Sequence, residues 1–297
     1  MADSEASVLI LGASGMAGHV VSTYLRESGY TVTTAASRHP LDSSTHMVDV
    51  RRFQDVETLL ATGGYDVVVN CVGALVAASD HAPPLAVALN SLLPHQLAHA
   101  CASSGPRIIH LSTDCVFSGK TGPYREDSFR DGPGFYDRTK ALGELENSKD
   151  VTLRTSIVGP EIRTPATGLF HWVMSSQGEV RGFTRSIWNG LTTLQLAKEI
   201  DELIRRHDIA GVVQPVPENS ISKHDLVELI STTFRHENLT VTPVEGKDAD
   251  KTLLQTRSDY HRTVPDFQLM LADLRDWMIG HAYLYTQYPQ YRITTDQ

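Results

Sequence analysis

The sequence predicts an α/β fold: a doubly wound parallel sheet with a smaller, partly discontinuous second domain towards the C-terminus. Three observations carry that expectation. Short apolar runs alternate with helical periodicities over the first half of the chain, a glycine-spaced turn closes the first of those runs, and the alternation fades after about Pro160. Strands alternating with helices build right-handed crossovers, and ligands of such sheets sit beyond the carboxyl ends of the strands.

Each element follows from its own stretch of sequence. Ser7 to Leu11 is apolar and ends in glycine, the mark of a buried parallel strand. Gly15 to Glu27 carries Met16, Val20, Val21, Tyr24 and Leu25 at helical spacing, and Gly29 is placed to cap it. Tyr30 to Ala36, Met47 to Val50 and Asp66 to Val72 read as the next three strands. A long helix over Pro84 to Ser103 leads to a strand at Arg107 to Leu111, and a helix over Tyr136 to Glu146 leads to a strand at Val151 to Val158. Farther on, Thr167 to Ser176 reads as a short helix. Leu191 to His207 is amphipathic through Leu194, Leu196, Ile200, Leu203 and Ile204. Ser222 is a candidate N-cap for a helix to Phe234 with Leu226, Leu229 and Ile230 as its stripe, and Pro215 and Pro217 break the chain before it. The polar tail from Gln287 to Gln297 reads as loosely ordered. The expected division is a first domain over 1–160, with 187–210 returning to it, and a second over 161–186 and 211–297.

Composition narrows the function. With 297 residues, 41% hydrophobic and 21% charged, the chain buries a normal core without disulfide or metal staples. Its formal charge of −9 comes without any run of Lys or Arg, so the concentrated basic face that nucleic acid or an anionic membrane needs is missing. Cys71, Cys101 and Cys115 are odd in number and form no CxxC, which fits a reducing cytoplasm. The opening residues are acidic, and Val8 to Leu11 is too short for a signal peptide or membrane span. The histidines read as surface or capping residues, and no metal site is expected.

Gly12-Ala13-Ser14-Gly15-Met16-Ala17-Gly18 has the spacing GxxGxxG between a strand and a helix. Gly12 allows the tight turn, Gly15 the approach of a pyrophosphate, and Gly18 close packing of helix on sheet; the helix N-terminus supplies free N–H groups. This is the context of a dinucleotide-binding Rossmann loop, with Ser14 and Met16 as further candidates for contact. The second strand ends in Ala35-Ala36-Ser37-Arg38-His39, with no acid for a ribose hydroxyl. Arg38 suits a 2′-phosphate, which favours NADPH over NADH. Asp49 and Val50 end the third strand, where Asp49 either meets an adenine amine or caps a turn. Tyr136 and Lys140 stand four apart on one helix face. A free tyrosine has a pKa of ~10, and a lysine ammonium beside it is expected to lower that value and enable proton transfer to a carbonyl oxygen. Leu111-Ser112-Thr113-Asp114 offers hydroxyls at a strand end, for a substrate carbonyl or as turn caps.

With these pieces assembled, the chain resembles the extended short-chain dehydrogenase/reductases, and within them the dTDP-4-dehydrorhamnose reductase family. The resemblance also rests on Val69-Asn70-Cys71-Val72-Gly73, Asn90, Val116-Phe117-Ser118-Gly119, Leu153-Arg154-Thr155-Ser156 and Trp188-Asn189-Gly190-Leu191-Thr192-Thr193. It implies catalysis by Thr113, Tyr136 and Lys140, and a cofactor cleft bordered by Cys71, Val72, Gly73, Asn90 and Thr155. Asp114, Cys115, Phe117, Ile157, Trp188 and Asn189 are implied at the substrate. The implied reaction reduces the 4-keto group of a nucleotide-linked 6-deoxyhexose for deoxysugar biosynthesis. Cys115 stands where the family commonly has an aromatic and Ile157 where it tends to tryptophan, so the pocket also suits an N-acetylated UDP-sugar. The same residues are compatible with an epimerase that holds its nicotinamide tightly, and with a regulatory subunit like that of methionine adenosyltransferase. Family members can involve Mg²⁺, but the sequence offers no ligand cluster for it. A homodimer is compatible with such a fold.

Overall fold

The computed structural model describes residues 6–102, 105–235, 239–246 and 248–293. Its centre is a seven-stranded, all-parallel sheet. The strands are β1 (Ser7–Leu11), β2 (Thr31–Ala36), β3 (His46–Met47), β4 (Val67–Asn70), β5 (Arg107–Ser112), β6 (Val151–Arg154) and β11 (Gly211–Val213). They lie in the order β11-β6-β5-β4-β1-β2-β3, so the winding reverses between β1 and β4. That reversal opens a crevice at the strand ends.

Alternation along each strand assigns the two faces. Val8, Ile10, Val67 and Val69 join one core, and Leu9, Leu11 and Val68 the other. Both faces are apolar because both are covered. Helix α1 (Met16–Glu27) and α8 (Thr193–Arg205) pack together on the first. The second face takes α2 (Phe53–Gly63) and α5 (Leu93–Ala100). Each fully buried Val or Leu side chain contributes roughly 1.5–3 kcal/mol relative to exposure.

Several expectations change. The predicted helix over Pro84 to Ser103 is three pieces: α4 (Pro83–Ala86), a π turn (Val87–Leu92) and α5. A short α3 (Val76–His81) precedes them, and the predicted end at Ser103 lies outside the described residues. The helix that carries Tyr136 is α6 (Phe135–Leu142), shorter than expected because Gly143 follows it. The strand predicted over Val151 to Val158 breaks after Arg154, and Ile157–Val158 (β7) leaves the sheet to pair with Leu191–Thr192 (β10). Helix α2 is an addition to the predicted elements. The surface reading of the histidines fails at His19 and His110, which are fully buried because each finds a hydrogen-bond partner inside, Tyr285 and Asn70 respectively.

The remaining elements form a smaller body over the carboxyl edge. It contains α7 (Leu169–Ser175), β8 (Glu179–Phe183) paired with β13 (Thr240–Val244), and β9 (Ser186–Trp188) between β12 (Ile221–Ser222) and β14 (Ala249–Asp250). Helix α9 (Lys223–Phe234) starts as predicted, with Ser222 Oγ accepting from the Asp225 N–H at 3.0 Å. Helix α10 (Phe267–Gly280), also not predicted, closes the core against α8 and α9. Two corrections concern assignment. The sequence pattern gives Gly211–Val213 to the second domain, but it is the outer strand of the main sheet, bonded to β6. The segment from Gln287 reads as loose, yet Tyr288 and Tyr291 are buried, because their rings join a cluster with Phe170, His171 and Tyr285; residues 294–297 lie outside the described residues.

Candidate active site

The glycine loop leaves β1 through Gly12, whose φ of +79° is a left-handed conformation that favours glycine. A Cβ on Gly18 would stand 2.2 Å from the Gly12 carbonyl oxygen, so only glycine lets α1 sit this close to the turn. Gly15 is the N-cap of α1 and offers no side-chain cap, which leaves first-turn N–H groups for a ligand. The loop is thus a cradle that a Cβ would fill, and its shape fits a dinucleotide phosphate. Arg38 stands exposed just past β2. Asp49 is committed to Arg51, whose guanidinium holds its carboxyl down at about 2; its Oδ1 also accepts from the Arg51 N–H at 3.1 Å. Of the two readings of Asp49, this geometry favours the turn cap. Val50 packs beside it against the α2 face.

The end of β5 meets α6 directly. Asp137 accepts from the Gly134 N–H at 2.9 Å, which fixes the start of α6 and sets Tyr136 in its first turn. Thr113 follows β5 directly; its Oγ1 accepts from the Cys115 N–H at 3.1 Å, lies 3.2 Å from Asp114 Oδ1, and reaches the Tyr136 hydroxyl. Lys140 donates to the Leu111 carbonyl at 2.6 Å and lies 3.5 Å from His110 Nε2. Thr113, Tyr136 and Lys140 therefore converge at one strand end, although a long loop separates that strand from the helix in sequence.

The electrostatics differ from expectation. Tyr136 is pushed up, not down, by burial and by the neighbouring Cys115 thiol, against which the Thr113 hydrogen bond is the smaller effect. Lys140 does not offset this, because its ammonium is held on the β5 carbonyl rather than on the phenol. Burial brings Lys140 itself down to about 8, opposed by Glu144 and Cys71. The Cys71 and Cys115 thiols are both raised to about 12 by burial, so both stay neutral.

The remaining predicted residues divide into facing and bracing positions. Cys71, Val72 and Gly73 follow β4 into the crevice, and Thr155 follows β6. Asn90 is fully buried; it accepts from the Ala74 N–H at 2.8 Å and donates to the Ala74 carbonyl and to Thr139 Oγ1. It ties the β4 loop to α6. Phe117 is likewise sealed, stacked on Tyr124 at 4.1 Å with Arg154 over its ring. Asn189 spends its amide on the backbone of Leu253 and on the Pro217 carbonyl. Trp188 is buried against Phe267, with Lys223 Nζ 4.4 Å from its ring centroid. Phe117, Asn189 and Trp188 are thus all buried and held by protein partners. Asp114 is also buried, while Cys115 and Ile157 are half-buried.

Sequence reasoning missed four residues. Lys251 hydrogen-bonds Cys115, and Lys223 faces Asp114 and Cys115 from the second body. Glu144 is buried beneath the site and receives Arg154 at 2.6 and 2.8 Å, Ser112 at 2.6 Å, and Arg130. Arg163 reaches Ser14 across 149 residues of sequence. Arg154 stands within a motif, but no spacing points to the other partners. Among the described residues, one group of three potential metal ligands occurs, His224, Asp225 and Glu228 on α9, and both carboxylates are exposed. No described helix is long and apolar enough to cross a membrane.

Comparison with known proteins decides the family. The family model for the RmlD substrate binding domain matches residues 6–258. The chain belongs to the RmlD substrate-binding domain family. Among curated relatives of this RmlD-family chain, a probable low-salt glycan biosynthesis reductase of Haloferax volcanii is 35% identical over 139 residues, 46% of each protein. The dTDP-4-dehydrorhamnose reductase of Streptomyces griseus is 36% identical over 138 residues, 46% of this chain and 43% of its own length. The matches thus span less than half of those relatives. A dTDP-4-dehydrorhamnose reductase of Bacillus anthracis, solved with NADP, superposes with a TM-score of 0.77 over 91% of this chain and 98% of its own, at 19% identity. That likeness establishes the doubly wound fold.

Proposed function

We propose that this RmlD-family chain is an NADPH-dependent reductase of the 4-keto group of a nucleotide-linked 6-deoxyhexose, with an N-acetylated UDP-sugar as the second candidate substrate. The observation that carries this reading is the meeting of Thr113, Tyr136 and Lys140 at the end of β5, on the same carboxyl edge of the sheet as the glycine loop after β1. Reductases of this family among its relatives support it.

The nicotinamide, when bound, supplies the hydride. The protein's part is to hold and deliver a proton. Tyr136 stays protonated at neutral pH, so its Oη can donate to the oxygen that gains charge as the carbonyl is reduced. Thr113 Oγ1, beside that phenol, orients the carbonyl oxygen and supplies a second hydrogen bond. Lys140, at the end of β5, places positive charge behind the pair. Gly12, Ser14, Gly15, Met16 and Gly18 would hold the pyrophosphate, Arg38 the 2′-phosphate, and Cys71, Val72, Gly73 and Thr155 the nicotinamide end.

The test is NADPH consumption against a panel of 4-keto dTDP- and UDP-sugars. Stoichiometric oxidation with at least one of them is expected. Tyr136→Phe should lower turnover by roughly 10²–10⁴-fold while NADPH affinity stays within about threefold. No oxidation with any of the panel overturns the reading.

A further inference from the structure

Two arginines from different parts of the molecule stand near the glycine loop, Arg163 bonded to it and Arg38 next to His39 of the adjoining cavity. Arg38 comes from the end of β2. Arg163 comes from the connection between β7 and α7, and donates Nε to the Ser14 carbonyl at 2.8 Å and Nη2 to the Ser14 hydroxyl at 2.9 Å. Four hydrogen bonds hold the connection around it in place. Glu161 accepts from the N–H groups of Thr167 and Gly168 at 2.9 and 2.7 Å, Gln287 donates to the Ile162 carbonyl at 2.7 Å, and the Tyr288 hydroxyl donates to the Arg163 carbonyl. Between loop and connection lies a cavity of about 330 Å³ whose lining includes Ser14, His39, Arg163, Thr164 and Gln287.

The charge there is unbalanced. Among the described residues, the charged neighbour that acts on Arg163 is Arg38, a like charge, and together with burial it disfavours the guanidinium cation. The acids that flank Arg38 in sequence are already taken: Asp42 pairs with Arg26, and Asp49 with Arg51. Two cations held near each other are stabilised by an anion that both can reach. A guanidinium bonded only to a carbonyl and a hydroxyl has N–H groups left for a phosphate oxygen.

We propose that Arg163 and Arg38 form one phosphate site for the dinucleotide, built jointly by the sheet and the second body. Position favours the 2′-phosphate, because the cavity runs from Ser14 to His39, the residue after Arg38. The pyrophosphate is the other source of the same chemistry. The proposal rests on the nicotinamide dinucleotide reading and extends it to a residue outside the glycine-loop domain.

The test uses the full chain and equilibrium binding: NADPH and NADH by nicotinamide fluorescence, 2′,5′-ADP and 5′-ADP by calorimetry. Arg163→Gln is expected to weaken NADPH and 2′,5′-ADP by roughly ten- to a hundredfold, the range for a hydrogen bond to a charged group. NADH and 5′-ADP should change by less than about threefold, and Arg38→Gln should show the same pattern. Arg163→Lys should recover part of the loss, since it restores charge without the fork. An equal loss of both adenosine probes also supports phosphate capture and moves it to the 5′ side. Unchanged binding of both probes in either glutamine variant, with an unaltered melting temperature, overturns the joint site. Failure of the parent chain to bind NADPH would instead overturn the cofactor reading.

Discussion

Tyr136 keeps its proton because burial disfavours the phenolate, and the Thr113 hydrogen bond that favours it is the smaller effect. A proton donor for reduction needs that state; a phenolate would have nothing to give. Lys140 sets the pH range. Its value of about 8 means that the ammonium is present below that pH and lost above it. The expected pH profile of kcat/KM therefore has a basic limb near 8, and a flat profile through pH 9 would refute the assignment. At this scale the motifs are legible: Tyr136 and Lys140 stand out by their spacing, and Thr113 by its place at a strand end. The direction of the tyrosine shift is not, because helix geometry puts two residues on one face but does not say where a lysine's four-carbon stem ends. Nor does spacing show that Asn90, Phe117, Trp188 and Asn189 are buried and held by other parts of the protein.

Elements are legible where their pattern is strong and local. Strands β1, β2, β4 and β5 follow from apolar runs, and α1, α8 and α9 from their stripes and caps. Helices α2, α3 and α10 and the three small sheets do not announce themselves in this way. The strand at Gly211–Val213 is only three residues long and is recognisable only through its pairing with β6. The break after Arg154 also depends on distant chain, since β7 finds its partner in β10. The contact of α1 with its turn makes a sharp prediction. Gly18→Ala sets a Cβ against backbone atoms of Gly12 and Ala13, which no side-chain rotation can relieve. Urea unfolding should show a loss of about 1–3 kcal/mol, and NADPH binding should weaken alongside it. A variant with parental stability and affinity would show that the packing tolerates a methyl group.

Across the whole molecule, the first helix is tied to a turn far along the chain. His19 is fully buried on α1, with Nδ1 2.9 Å from the Gly15 carbonyl oxygen and Nε2 3.1 Å from the Tyr285 hydroxyl. Burial lowers it to about 4 from 6.5, against the raising effect of its backbone hydrogen bonds. The unfolded chain therefore binds the proton more tightly than the folded one. Stability is lost as pH falls from about 6.5 towards 4, by about 3 kcal/mol for a shift of this size. His19→Gln, compared with the parent by urea unfolding at pH 7 and pH 4, should flatten that fall; an equally steep fall would assign it to other groups. No local pattern announces such a contact, because its partners stand 266 residues apart.

Gln287 and Tyr288 hold the Arg163 connection, and Tyr285 meets α1, so the glycine loop is completed by residues made long after it. On the ribosome the loop emerges early and then waits. The α1 contact with Tyr285 and the Tyr288 hold on the Arg163 connection can therefore form only after nearly all of the chain between them has been made.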